Sequence, residues 1–239
     1  MTDLIRTAFI TGGSKGIGYG IAVALLNHGV RVAITSRSQK AAAEAAAALN
    51  EIRPGYALGF AADVRDMPAQ EAAVAETVRQ WGRLDYVVAN AGVGHLVAFQ
   101  DLTAEQWHET IDTNLTGVFY TAKATLPALI ASEGYFISIA SLAGANFFEK
   151  GAAYNASKFG LVGFSQALML DIRNAGVKVT TIMPGSVATE FANHTPTEKD
   201  AWKIQPEDLG QLVVDLIRMP ARTLPSKVEV RPSVPGGRK

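Results

Sequence analysis

Short runs of β-branched and apolar residues alternate along this chain with longer stretches of alanine, leucine and charged residues. Residues 7–11 (TAFIT), 30–36 (VRVAITS), 56–62, 84–89 (LDYVVA), 135–140 (YFISIA), 177–183 (VKVTTIM) and 227–231 (KVEVR) read as strands. Residues 17–28, 39–50, 69–81, 154–174 and 206–219 read as helices, and 103–132 as two helical stretches with Asn114 near their junction. Gly29, Gly82 and Gly176 stand just past helix ends, where a left-handed cap is needed, and Pro206 opens the last helix. Pro184-Gly185 stops the sixth strand, and the tail, 232–239, reads as frayed.

Strands that alternate with helices predict an α/β fold: a Rossmann-like, doubly wound parallel sheet of about seven strands with helices on both faces. No linker, repeat or charge run divides the 239 residues, so 1–239 is expected to be one domain. The 48% hydrophobic and 18% charged composition describes a folded chain. The absence of cysteine excludes disulfides, thiolate catalysis and iron–sulfur clusters. The 22 basic and 22 acidic residues cancel, which leaves no overall field for nucleic acid or an anionic membrane. No apolar run reaches the roughly 20 residues that span a bilayer. The opening residues carry no basic segment followed by an apolar one, so the expected location is the cytoplasm.

The segment Thr11-Gly12-Gly13-Ser14-Lys15-Gly16-Ile17-Gly18 joins the first strand to the first helix. Glycines there let the backbone approach a ligand, and the free N–H groups of a helix start favour an anion such as pyrophosphate. The spacing G-x3-G-x-G differs from G-x-G-x-x-G, and a tight turn alone would also explain it. Two cations refine the reading. Lys15 lies within the turn, and Arg37 follows the second strand, where a carboxylate would hold a ribose 2′-OH. A cation there suits a 2′-phosphate, so NADP(H) is expected over NAD(H). Solvated surface charge is the plainer explanation of both.

Tyr154 and Lys158 are four apart at a helix start and share a face. A neighbouring ammonium favours the phenolate and brings a tyrosine, ordinarily near pKa ~10, closer to neutrality. Ser141 follows the fifth strand, thirteen residues before Tyr154, where its hydroxyl can donate to a substrate carbonyl. Asn114 interrupts an apolar-leaning helical stretch, and its amide can hold water or a backbone group. Each of these has a structural explanation when taken alone. The four histidines, 28, 95, 108 and 194, show no metal-ligand spacing, and no metal is expected.

Together these residues resemble the short-chain dehydrogenase/reductase family, in its short single-domain branch. The resemblance runs through the 11–18 turn, Asp63-Val64, Asn90-Ala91-Gly92, Asn114, Ser141, Tyr154/Lys158 and the segment Pro184-Gly185-Ser186-Val187-Ala188-Thr189. It implies that Tyr154 is the general acid in carbonyl reduction and the base in alcohol oxidation. Lys158 would hold the nicotinamide ribose and lower the Tyr154 pKa, Ser141 would polarise the carbonyl, and Asn114 would support a water relay to Lys158. Asp63 and Val64 would flank the adenine, and Asn90 and Gly92 its ribose. Pro184, Gly185, Val187 and Thr189 would lie along the nicotinamide. Gly12, Ser14, Lys15, Gly16, Ile17, Gly18 and Arg37 complete the expected cofactor set. One departure is Ala89-Asn90-Ala91-Gly92, where many members carry two asparagines.

The segment 190–205 leaves room for only a small substrate cover, and the end (KVEVRPSV) lacks the glycine-rich ending of fatty-acid-synthesis reductases. His95, Leu96, Asn146, Phe147, Phe148, Ser186, Phe191 and Trp202 are the expected pocket wall, largely apolar and poor in cations. The reading is an NADP(H)-dependent reductase of a hydrophobic ketone or aldehyde. The alternatives are a 3-oxoacyl-thioester reductase and a non-catalytic NADP-sensing protein. Apolar residues extend beyond one face of 115–132 and 155–174, helices that pair across a dimer or tetramer axis in the family, so the resemblance implies a homo-oligomer, a tetramer or dimer. Neither nucleic acid nor membrane is expected as a partner.

Overall fold

Successive residues of the first strand face opposite ways, and both faces are buried. Ala8 and Ile10 join one apolar cluster and Phe9 joins another. The fifth strand repeats this, with Tyr135, Ile137 and Ile139 on one side and Phe136 on the other. A strand that is apolar on both faces requires a layer on each side. The structure is a computed structural model that describes residues 4–234, so residues 235–239 of the expected frayed tail lie outside it.

The strands are β1 (Thr7–Ile10), β2 (Arg31–Ser36), β3 (Ala57–Ala61), β4 (Tyr86–Ala89), β5 (Tyr135–Ile139), β6 (Lys178–Pro184) and β7 (Lys227–Val230). The α-helices are α1 (Gly16–Asn27), α2 (Gln39–Ile52), α3 (Met67–Trp81), α4 (Ala104–Ile111), α5 (Gly117–Ser132), α6 (Ala152–Ile172) and α7 (Pro206–Ile217). The strands form one sheet in the order β3-β2-β1-β4-β5-β6-β7, and every neighbouring pair is parallel. Ile21 and Leu25 of α1, Leu49 of α2 and Val213 of α7 cover one face. Val74 of α3, Leu129 of α5 and Leu161 of α6 cover the other. This is the expected doubly wound α/β sheet.

Local chemistry sets the helix ends. Ser38, Asp66 and Thr103 cap α2, α3 and α4 with side-chain bonds to backbone N–H groups. Gly82 takes the left-handed conformation beyond α3 (φ 78°). The helix expected from residue 154 starts at Ala152, so Tyr154 is already one of its first-turn residues. Between α4 and α5 the chain does not break but widens into a π-helical turn, Asp112–Thr116, with Asn114 at its centre. Strand order reverses between β1 and β4, and in doubly wound sheets ligands bind at such a switch point, at the carboxyl ends of the strands. Among the described residues, no helix is long and apolar enough to cross a membrane.

Candidate active site

At this switch point the turn after β1 and the loop after β4 are tied together. Thr11 Oγ1 accepts from the backbone N–H groups of Asn90 (3.0 Å) and Ala91 (3.2 Å). Asn90 Nδ2 returns bonds to the carbonyls of Thr11 and Gly12, both at 3.0 Å. Gly12 has φ +64°, and a Cβ there would stand 2.9 Å from Ala91 Cα. At Gly18 a Cβ would stand 2.5 Å from the Gly12 carbonyl oxygen and 2.6 Å from Asn90 Nδ2. Only glycine lets the turn and the helix come this close. Unlike α2, α3 and α4, α1 has no side-chain cap: Lys15, at its N-cap, is extended and makes no capping bond. The first N–H groups of α1 are thus left for a ligand, and a pyrophosphate fits that donor set. Ser14 and Ile17 line the same turn half-buried, with Lys15 exposed. Thr189, after β6, packs over this turn, with its Cγ2 3.4 Å from where a Gly16 Cβ would lie.

The four expected catalytic residues lie on three segments, with Tyr154 and Lys158 sharing α6, and the fold brings them to one end of the sheet. Lys158 is buried on α6, and its Nζ donates to the Ile139 carbonyl at 3.0 Å. Tyr154 lies one turn earlier, with Lys158 Nζ 5.7 Å from its ring centre. Ser141 follows β5. Its Oγ accepts from the Ala143 N–H (3.0 Å) and donates to the Pro184 carbonyl (3.5 Å). Asn114 is fully buried. Its Oδ1 accepts from the Val93 N–H at 2.8 Å, and its Nδ2 donates to the Val93 carbonyl (2.8 Å) and to Ser157 Oγ (3.0 Å). Gly92 sits over this group: a Cβ on it would lie 3.2 Å from Asn114 Oδ1 and 3.8 Å from Lys158 Nζ. Asn155, not singled out in the sequence, ties α6 to the Ser141 segment through the carbonyls of Ala143 (2.7 Å) and Asn146 (2.9 Å). Its signal was only its place beside Tyr154.

Electrostatics corrects one expectation. The Lys158 ammonium does not bring the phenol toward neutrality here. Burial dominates and raises the Tyr154 pKa above its ordinary value, and the Ser141 hydroxyl offsets only part of the rise. Burial also pushes Lys158 down, to about 8. The resting pair near neutral pH is therefore a neutral phenol beside a protonated amine.

The surrounding wall departs from the sequence reading in places. Phe148 and Phe191 flank Tyr154, with ring centres at 6.4 and 5.3 Å. Phe191 also lies against Gly94, where a Cβ would be 2.3 Å from its Cζ. Phe147 instead stacks on Phe159 of α6 and is 86% exposed, so it does not face Tyr154. Trp202 lies beside Lys203 on the exposed surface. Asp63 is held by Arg65, a partner the sequence reading missed, through Nε at 3.0 and 3.1 Å and Nη2 at 2.6 Å. That pair keeps the Asp63 carboxyl below the usual carboxylate range. Val64 is buried against Gly117 at the π-helical turn. Gly185 N–H bonds to the Val230 carbonyl (2.8 Å), and Val187 bridges to Ile204, which fixes the loop after β6. Arg37 is exposed and reaches Glu109 at 3.4 Å. Among the described residues, no group of three or more His, Asp or Glu side chains is placed to hold a metal ion.

Residues 6–200 match the family described as short chain dehydrogenase. The chain is 32% identical over 228 residues to an uncharacterised oxidoreductase of Staphylococcus saprophyticus, covering 95% of this chain and 97% of the relative. Its fold is similar to that of an alcohol dehydrogenase from Thermococcus sibiricus complexed with 5-hydroxy-NADP (TM-score 0.90, 28% identity, 96% of this chain and 97% of the other). It is also similar to an actinorhodin polyketide ketoreductase variant with NADPH (TM-score 0.85, 31% identity, 95% and 96% coverage). A family match over most of the length, a glycine turn at the β1–β4 switch point and the grouping of Ser141, Tyr154 and Lys158 lead to one conclusion: the chain belongs to the short chain dehydrogenase family and is an oxidoreductase.

Proposed function

We propose that this oxidoreductase acts as a single domain with NADP(H) and reduces a hydrophobic ketone or aldehyde. The observation that carries the reading is the convergence of Ser141, Tyr154 and buried Lys158 beside an uncapped helix start. The uncapped α1 and the close approach at Gly18 fit a pyrophosphate, and Lys15 and Arg37 supply the cations a 2′-phosphate needs. The two similar structures above carry an NADP derivative and NADPH.

When bound, the nicotinamide supplies the hydride. Ser141 Oγ donates to the substrate oxygen and holds it as negative charge develops. Tyr154, kept protonated by burial, delivers its phenolic proton to that oxygen. Lys158, protonated below about pH 8, donates to the ribose hydroxyls and stabilises the phenolate that the transfer leaves. Asn114 holds the Val93 backbone and Ser157 beneath this group. Both its amide hydrogens are spent, so any water relay toward Lys158 would use the second lone pair of Oδ1. Phe148 and Phe191 give the oxygen-binding point an apolar surround that favours an apolar substituent on the carbonyl.

The likeness to a polyketide ketoreductase favours a second reading, a 3-oxoacyl-thioester reductase. A carbonyl panel run with NADPH and NADH in parallel tests both. Turnover of hydrophobic ketones with NADPH supports the first, and turnover of acetoacetyl thioesters far above simple ketones replaces it with the second. Loss of all turnover across the panel favours a non-catalytic nucleotide-binding protein.

We further propose a homo-oligomer, a dimer or tetramer. Phe119 and Ile130 on α5 and Phe159 and Leu170 on α6 are each more than 40% exposed, an apolar surface suited to a second copy.

A further inference from the structure

Glu109, on α4, stands between the loops that follow β2 and β4. Its Oε1 accepts from the Arg37 guanidinium at 3.4 Å, and its Oε2 pairs with His95 Nε2 at 2.8 Å. The His95 contact and the Arg37 charge hold the Glu109 carboxyl below the usual range against the opposing pull of burial, so it is ionised at neutral pH. The nearby Arg65 is already engaged by Asp63 through a two-pronged pair. Arg37 is the cation that the β2 loop offers to an incoming anion, and one long contact to Glu109 occupies it.

We infer that Glu109 competes with the 2′-phosphate for Arg37, and so lowers the preference for NADPH over NADH. This rests on the NADP(H) reading above. A 2′-phosphate that binds Arg37 must either displace the Glu109 carboxylate or share the guanidinium with it, close to a like charge. NADH has no 2′-phosphate, so the cost falls on NADPH alone. Displacement is feasible because Glu109 keeps its second partner, His95, when Arg37 turns away. Both side chains are partly exposed, at 57% and 33%, and an exposed pair of this kind weighs about three- to fivefold in a binding equilibrium.

The test is calorimetric titration of NADPH and of NADH into the wild type, Glu109→Gln, Arg37→Ala and the double variant. The expected result is that Glu109→Gln tightens NADPH about three- to fivefold and leaves NADH unchanged, which also serves as the control for folding. In the Arg37→Ala background, Glu109→Gln is expected to change neither nucleotide. An unchanged or weakened NADPH affinity in Glu109→Gln, an equal shift for both nucleotides, or a full effect without Arg37 overturns the inference. The NADP(H) reading is tested separately by Arg37→Ala alone. If NADPH weakens and NADH does not, that reading stands whatever Glu109 does; if neither moves, the reading fails and the inference falls with it.

Discussion

Lys158 Nζ lies 5.7 Å from the centre of the Tyr154 ring, and burial shifts the two groups in opposite directions. The lysine falls to about 8 and the tyrosine rises, and both shifts favour the uncharged side chain. The site thus holds a cation at neutral pH at the expense of stability. The folded chain releases this proton near pH 8, whereas the unfolded chain keeps it until near the ordinary 10.5. Between those values the folded state binds fewer protons, so the lysine's contribution to stability rises with pH and the burial penalty is fully present below about 8. Lys158→Met is therefore expected to stabilise the nucleotide-free protein at pH 7 by on the order of 2 kcal/mol. The gain should shrink as pH rises from 8 to 10. Chemical denaturation of both proteins across that range measures it, and a variant less stable than the wild type at pH 7 contradicts the burial argument.

Tyr154→Phe removes the transferable proton and little else, since the ring keeps its contacts with Phe148 and Phe191. Carbonyl reduction should fall on the order of 10³-fold, with NADPH affinity nearly unchanged. Steady-state kinetics and a nucleotide titration check the two halves separately. Retained turnover would reject Tyr154 as the acid.

Gly18→Ala is expected to disturb nucleotide binding from within the turn. Its new methyl would fall 2.5 Å from the Gly12 carbonyl oxygen and 2.6 Å from Asn90 Nδ2, so helix and loop must separate. Overpacking of this kind costs about 1–3 kcal/mol, and NADPH and NADH should both weaken by about tenfold. An unchanged nucleotide affinity would show that the turn is not the pyrophosphate site.

Phe159→Glu combined with Leu170→Glu is expected to give a monomer, by placing charge on the exposed apolar face of α6. Light scattering at micromolar concentration should find a dimer or tetramer for the wild type. A monomeric wild type removes the oligomer proposal, and an unchanged assembly in the variant removes this face from it.

The strand pattern was legible because a parallel sheet covered on both faces makes its strands read as near-continuous apolar runs, as in TAFI and YFISI. Asn114 was legible as a polar interruption, though not as the centre of a π-helical turn. That turn reflects the bonds Asn114 makes to Val93, a residue far away in sequence. Phe147 adjoins Phe148 in sequence and reads as pocket wall, while the packing of α6 gives it Phe159 as a partner.

The sequence by itself determined the alternation of strands and helices, the glycine turn, and the Tyr154–Lys158 spacing, because these depend on neighbours within a few residues. Tertiary structure alone decided how the groups act on one another. Burial raised the Tyr154 pKa, and Glu109 reached Arg37 from α4, 72 residues further along the chain. Desolvation and ion pairing depend on which distant segments close around a group, and no local pattern records that.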